Sequence, residues 1–140
     1  MQIQLRAPQD RELLSSLFAA IRDALARAGI PRELAHDVLL VSEEVVCNAI
    51  DHGRPSGCQH EVTVQISIGD RDITLCFRDD GDPFDPLAHP PPDLEADLED
   101  RDIGGLGVHL VRTLADEITY VREARHNLLR VVLLRPASRD

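Results

Sequence analysis

Two runs of strict alternation joined by a short polar turn set the frame for this chain. Val62, Val64, Ile66 and Ile68 alternate with Thr63, Gln65 and Ser67, and Gly69-Asp70-Arg71-Asp72 then turns the chain into Ile73, Leu75 and Phe77. Successive side chains on a strand point to opposite faces, so the pattern predicts an antiparallel hairpin with one buried face. Such a face needs a covering layer. The parity carries one step further. Counting by twos from Ile73, Leu75 and Phe77 lands on Asp79, a carboxylate aimed to the core side at the strand's end, where it needs a donor. It either caps the turn through Asp80-Gly81 or accepts a hydrogen bond from a ligand amino group, and position alone allows both.

The covering layer is legible on both sides of the hairpin. From about Gln9 to Ala28, Leu14, Leu17, Phe18, Ile21 and Leu25 recur at helical spacing, with Gly29 placed to close the helix. Pro31 suits the first turn of a second helix running to about His52. Before them Ile3 and Leu5 read as a short first strand that Ala7-Pro8 ends. Near the other end Ile118 and Tyr120, then Leu129, Val131 and Leu133, suggest a second hairpin turning at about Arg125-His126-Asn127.

The second helix carries Val41 to Gly53, VSEEVVCNAIDHG. Helical spacing stacks Glu44, Asn48 and His52 on one face, beside the apolar line Leu34, Val38, Val41 and Val45. A carboxylate can take a proton, and an amide oxygen is a hard neutral ligand suited to Mg²⁺. The same spacing also describes a solvated helix face, so further elements must decide. Glu43 lies roughly 100° around the helix from Glu44 and is not interchangeable with it.

Gly53-Arg54-Pro55-Ser56-Gly57 reads as a loop, and a longer one follows Gly81. It holds Asp82-Pro83-Phe84-Asp85-Pro86, then His89 beside three prolines, then six acidic residues between Asp93 and Asp102. A loop of this kind in a compact domain is a lid or an insertion, and His89 reads as an exposed side chain. It ends in Ile103-Gly104-Gly105-Leu106-Gly107-Val108-His109-Leu110-Val111, glycines leading into an amphipathic helix that runs to about Ala115. A helix start offers unpaired N–H groups and partial positive charge, a site for phosphate. This is not a Walker motif, since no Lys-Ser/Thr follows, nor a Rossmann turn, since no strand immediately precedes it.

The 140 residues suit one domain, residues 1–140, with a core that needs no disulfide or structural metal. Met1 to Arg6 leads at once into Pro8, Asp10 and Glu12, with no signal-like start and no apolar run of membrane length, so the cytoplasm is the expected compartment. Cys47, Cys58 and Cys76 form an odd set without a CxxC pair and read as structural thiols. A formal net charge of -10 with scattered arginines argues against nucleic acid and anionic membranes as direct partners. An anionic nucleotide remains possible where Mg²⁺ and backbone N–H groups supply the positive field.

Three elements in order, EVVCN in the second helix, DDGDPFDP after a strand, and GGLGVHLVRTLADEITYVRE, resemble the GHKL (Bergerat-fold) ATP-binding superfamily. Within it the chain is similar to the stand-alone anti-sigma-factor serine/threonine protein kinases, on its length, the PFDP form and the absence of a phosphoacceptor-histidine helix pair. The resemblance covers nearly the whole chain. It implies an α/β (α+β) two-layer sandwich, a mixed, mainly antiparallel sheet with helices on one face, and an ATP lid at about 85–104. It implies that Asn48 coordinates Mg²⁺ on the ATP phosphates and that Glu44 is the general base for a partner Ser or Thr hydroxyl. Asp79 would accept from the adenine amino group, Gly81 would let the base sit against the turn, and Gly105, Leu106 and Gly107 would meet the phosphates. His52 would be a structural hydrogen-bonder.

The implied partners are an anti-anti-sigma factor of the STAS type, which is phosphorylated, and a sigma factor, which is held, with a homodimer expected. The alternative is an ATP-gated regulator-binding protein with little or no kinase activity. Two positions depart from the family pattern. Ile103 stands where many members carry a lid arginine, with Arg101 a nearby substitute, and Arg130 aligns with a Thr of the last strand that helps hold an adenine-side water.

Overall fold

The computed structural model describes residues 1–7, 11–52, 60–88 and 103–136. Residues 53–57, expected as a loop, Cys58, His89, Arg101 and the acidic run at 93–102, expected as part of a lid, lie outside the described residues. Five strands form one sheet in the order β1-β2-β3-β5-β4: β1 Gln2–Ala7, β2 His60–Ile68, β3 Asp72–Asp79, β4 Glu117–Glu123 and β5 His126–Leu134. Every neighbouring pair is antiparallel, so the mainly antiparallel sheet expected has no parallel member among the described residues. The reason is topological. The chain crosses from β3 to the far edge, lays down β4, and turns back through β5 into the gap between them.

The helices α1 Leu14–Arg27, α2 Arg32–His52 and α3 Ile103–Leu114 share one core with the sheet. Val62, Val64 and Ile66 of β2, Ile73, Leu75 and Phe77 of β3, and Leu129, Val131 and Leu133 of β5 are buried, as the alternation requires. Against them lie Leu17, Ile21 and Leu25 of α1, Val38, Val41, Val46 and Ile50 of α2, and Val111 of α3. Burying each such side chain contributes roughly 1.5–3 kcal/mol, against about 1 kcal/mol for a capping hydrogen bond, so the shared face determines the two-layer form. No helix among the described residues covers the opposite sheet face. Gln4, Thr63, Gln65, Arg78, Leu128 and Arg130 are among the residues lining an open groove there of about 750 Å³.

Two local features position α2. A short 3-10 turn, Arg11–Leu13, precedes α1, which ends where Gly29 takes a φ of 71°. The Gly29 N–H donates to Ala26 O at 3.0 Å and the Ile30 N–H to Leu25 O at 3.1 Å, a Schellman closure whose two apolar ends, Leu25 and Ile30, are both buried. Pro31 then starts α2 through its carbonyl, which accepts from the Ala35 N–H at 2.9 Å. The turn between β4 and β5 comes earlier than the sequence suggested, at Ala124 and Arg125, with Ala124 at a φ of 53°. Among the described residues no helix is long and apolar enough to cross a membrane. Cys47 and Cys76 are half-buried in α2 and β3 and share no disulfide.

Candidate functional site

The last residues of β3 separate two adjacent carboxylates. Asp80 turns toward β2, where its Oδ1 accepts from the Glu61 N–H at 2.7 Å while its own N–H donates to Glu61 O at 3.3 Å. Asp79, one step back on the opposite parity, is half-buried beyond Phe77. Its Oδ1 accepts from the Gly81 N–H at 2.9 Å and from Asn127 Nδ2 at 3.0 Å. No hydrogen bond from a described residue reaches Oδ2. The two readings of Asp79 are therefore compatible: one oxygen caps the turn, and the other remains for a donor.

Asn127 is the residue that sequence reasoning missed. It stands directly opposite Asp79 across the β3–β5 ladder and is 6% exposed. Its Nδ2 donates to Asp79 Oδ1 and to the Asp82 carbonyl at 2.9 Å, and its Oδ1 accepts from the Phe84 N–H at 3.3 Å and from the Tyr120 hydroxyl. Arg122, paired with Asn127 across the β4–β5 ladder, donates from Nη1 to the Gly81 carbonyl at 2.8 Å. The turn at residues 80–84 is thus held by side chains of β4 and β5. The signal was present: counting backward by twos from Leu133 through Val131 and Leu129 lands on Asn127. An Asn beside a chain reversal reads as a turn residue, and that reading hid it.

Arg130, aligned in sequence with an adenine-side Thr, faces the other way. It is exposed on the face of the sheet away from the helices, between Cys76 and Thr119, with Nη1 3.8 Å from Glu117 Oε2. It is no departure at the site, since the inward polar residue of β5 is Asn127.

On α2, Glu44 and Asn48 are half-buried one turn apart, beside the buried stripe of Val41, Ser42, Val46 and Ile50. Neither side chain makes a hydrogen bond or ion pair among the described residues. The helix packs on β2 and β3 and against α3. His52 ends α2. α3 begins at Ile103, so the glycines lie inside its first turns rather than before it. Gly105 falls among the first N–H groups, which lack intrahelical acceptors, and Leu106 and Gly107 follow in the hydrogen-bonded turns.

A family model described as a histidine kinase-like ATPase domain matches residues 7–133. The chain belongs to that family. Among curated relatives it is similar to the serine-protein kinase RsbW of Listeria monocytogenes serovar 1/2a, 28% identical over 121 residues, covering 84% of this chain and 77% of the relative. The RsbW serine-protein kinase of Staphylococcus aureus strain JH9 is 26% identical over 127 residues, covering 87% of this chain and 80% of the relative.

The donor set of this histidine kinase-like ATPase domain suits a magnesium nucleotide. Among the described residues no cluster of three or more His, Cys, Asp or Glu forms a cage. Mg²⁺ in nucleotide sites is commonly held by one or two protein oxygens, with phosphates and water completing its octahedron. The half-buried Asn48 amide, unengaged among the described residues, has a hard neutral oxygen of the kind such a site uses. Asp79 Oδ2 likewise suits an exocyclic amino group, a donor that adenine has.

Proposed function

We propose that this protein is an ATP-dependent serine/threonine protein kinase that phosphorylates a small regulatory partner. The observation that carries the reading is Asp79: its Oδ1 is doubly engaged and its Oδ2 takes no hydrogen bond from a described residue, at the end of a strand on which the Glu44–Asn48 helix packs. Asp79 Oδ2 accepts from the adenine amino group, and buried Gly81 gives the base room against the turn. Gly105, Leu106 and Gly107 meet the phosphates at the start of α3, Leu106 and Gly107 after release of their intrahelical bonds. Mg²⁺ on Asn48 would neutralise phosphate charge.

Glu44 takes the proton of a partner Ser or Thr hydroxyl. The hydroxyl oxygen bonds to the γ-phosphorus as the bond to the β–γ bridging oxygen breaks, leaving phosphoserine or phosphothreonine and ADP. General-base assistance is typically worth ~10²–10⁴ in rate, the remainder coming from positioning and charge stabilisation. The resemblance to the anti-sigma kinases supports an anti-anti-sigma protein of the STAS type as the substrate. A sigma factor would be the held partner, a homodimer the acting form, and the cytoplasm the compartment. The similarity to the two RsbW serine-protein kinases supports the same reaction class.

Incubation with Mg·ATP and a STAS-type protein from the same cell, followed by intact mass, tests this. A phosphate on a partner Ser or Thr that is lost with Glu44→Gln is expected. Association and ATP binding without transfer would instead favour an ATP-gated binder, the reading that Ile103 in place of a lid arginine supports.

A further inference from the structure

We infer that Asn127 is a positioning residue that sets the base preference of the nucleotide site, by orienting the Asp79 carboxylate so that one oxygen is aimed at the base. The inference rests on the assignment of Asp79 above and adds the device that aims it.

An Asn side chain has two N–H donors and two acceptor lone pairs, and here all four are used. The two donors go to Asp79 Oδ1 and the Asp82 carbonyl, and the two acceptor positions take the Phe84 N–H and the Tyr120 hydroxyl. The orientation of the amide is over-determined. A backbone N–H can only donate, so Phe84 requires the oxygen on its side; a backbone carbonyl can only accept, so Asp82 requires the NH₂ on the other. Flipping the amide would set oxygen against both Asp79 and Asp82. The amide is also buried, where such mismatches are costly.

The consequence falls on Asp79. With Asn127 and the Gly81 N–H both on Oδ1, rotation of the carboxylate would break two hydrogen bonds, so Oδ2 keeps one direction. A fixed acceptor favours a base with an amino group at that edge and opposes one with a carbonyl there, as in guanine. Tyr120 acts one step behind, by occupying the Asn127 oxygen. The β3–β5 ladder does not itself need this side chain: its register runs from Asp72↔Leu134 to Asp79↔Asn127 through backbone groups.

The test is the ratio of Mg·ATP to Mg·GTP affinity, measured by calorimetric titration on the full chain. Asn127→Asp keeps the shape but sets an acceptor against Asp79, and Asn127→Ala removes the group. Both are expected to lower ATP affinity about tenfold and to reduce the ATP/GTP ratio roughly fivefold or more, and Tyr120→Phe to reduce the ratio about twofold to threefold. Gly29→Ala, which strains the chain far from the site, should leave the ratio unchanged.

A folded Asn127→Asp with the wild-type ratio would overturn the inference. If both Asn127 variants lose their cooperative unfolding transition, Tyr120→Phe decides, and a wild-type ratio there overturns it equally. A wild-type protein without ATP preference, or one whose ratio survives Asp79→Asn, would overturn the nucleotide assignment of Asp79 and the role of Asn127 with it.

Discussion

Glu61 and Asp80 close the end of the β2–β3 ladder with a reciprocal pair of hydrogen bonds, the Glu61 N–H to Asp80 Oδ1 at 2.7 Å and the Asp80 N–H to Glu61 O at 3.3 Å. This commits Asp80 to β2 and leaves Asp79 alone at the inner edge. Asp80→Ala removes the side-chain half of the pair and should cost about 0.5–1.5 kcal/mol, read as a lower urea midpoint. Its effect on ATP affinity should be smaller than that of Asp79→Asn; the reverse order would mean that the two carboxylates had been assigned the wrong way round.

Asp79→Asn retains the shape but replaces a charged acceptor by an amide. A hydrogen bond to a charged group contributes about 1.5–3 kcal/mol, so ATP affinity should fall roughly 10-fold to 150-fold. Equilibrium titration with Mg·ATP checks it, and an unchanged dissociation constant would remove adenine from this pocket.

Arg130→Thr should change little. The residue is exposed, on the face away from the helices, and its ion pair with Glu117 joins two exposed side chains. A shift of less than about 0.5 kcal/mol in stability and twofold in ATP affinity is expected. A marked gain in affinity would show that the register of β5 places Arg130, and not Asn127, toward the nucleotide.

Gly29→Ala tests the closure of α1. The added Cβ meets no atom within 4 Å, so the penalty is one of backbone conformation alone, at a φ of 71°. About 1 kcal/mol is expected, or a melting temperature lower by roughly 3–4 °C.

Ser42 gives the opposite case, a fully buried polar residue whose loss should be mild. Its hydroxyl donates to the Val38 carbonyl at 2.8 Å, an acceptor within the same helix. Ser42→Ala should therefore stay within about 0.5 kcal/mol of wild type, whereas Leu75→Ala, at equal burial, should cost about 2–5 kcal/mol. Urea denaturation of the two side by side separates a polar group that α2 can spare from a side chain that fills the core.

Most of the frame was legible because alternation and helical spacing report burial directly. Ile73, Leu75 and Phe77 are buried as their parity requires, and the same parity brought Asp79 to the inner edge. Leu17, Ile21 and Leu25 marked the face of α1, and Gly29 its end. Legibility ended where a residue type and its position disagreed. Asn127 has the composition of a turn and the parity of a strand, and parity was the better guide. Glycine is a poor helix former, so a Gly-rich run suggests a turn before the helix, but tertiary contacts can override that preference, and α3 packs against α2. The partners of Asn127 were beyond reach for another reason. Tyr120 is seven residues away and Asp79 forty-eight, and only the pairing of β5 with both β3 and β4 brings them together.

That pairing also fixes an order of events during synthesis. β5 is made after β3 and β4 yet lies between them, so until it emerges β4 has no neighbour and β3 has a bare edge of unpaired N–H and C=O groups. Such an edge, flanked by Ile73, Leu75 and Phe77, is a template for pairing with other chains. A ribosome-bound chain stopped before His126 would thus hold Glu44 and Asn48, but its sheet would be unjoined and the turn after Asp79 unsupported. Nucleotide capture would wait for β5, and a translation pause ahead of β5 would be the moment of greatest risk of aggregation.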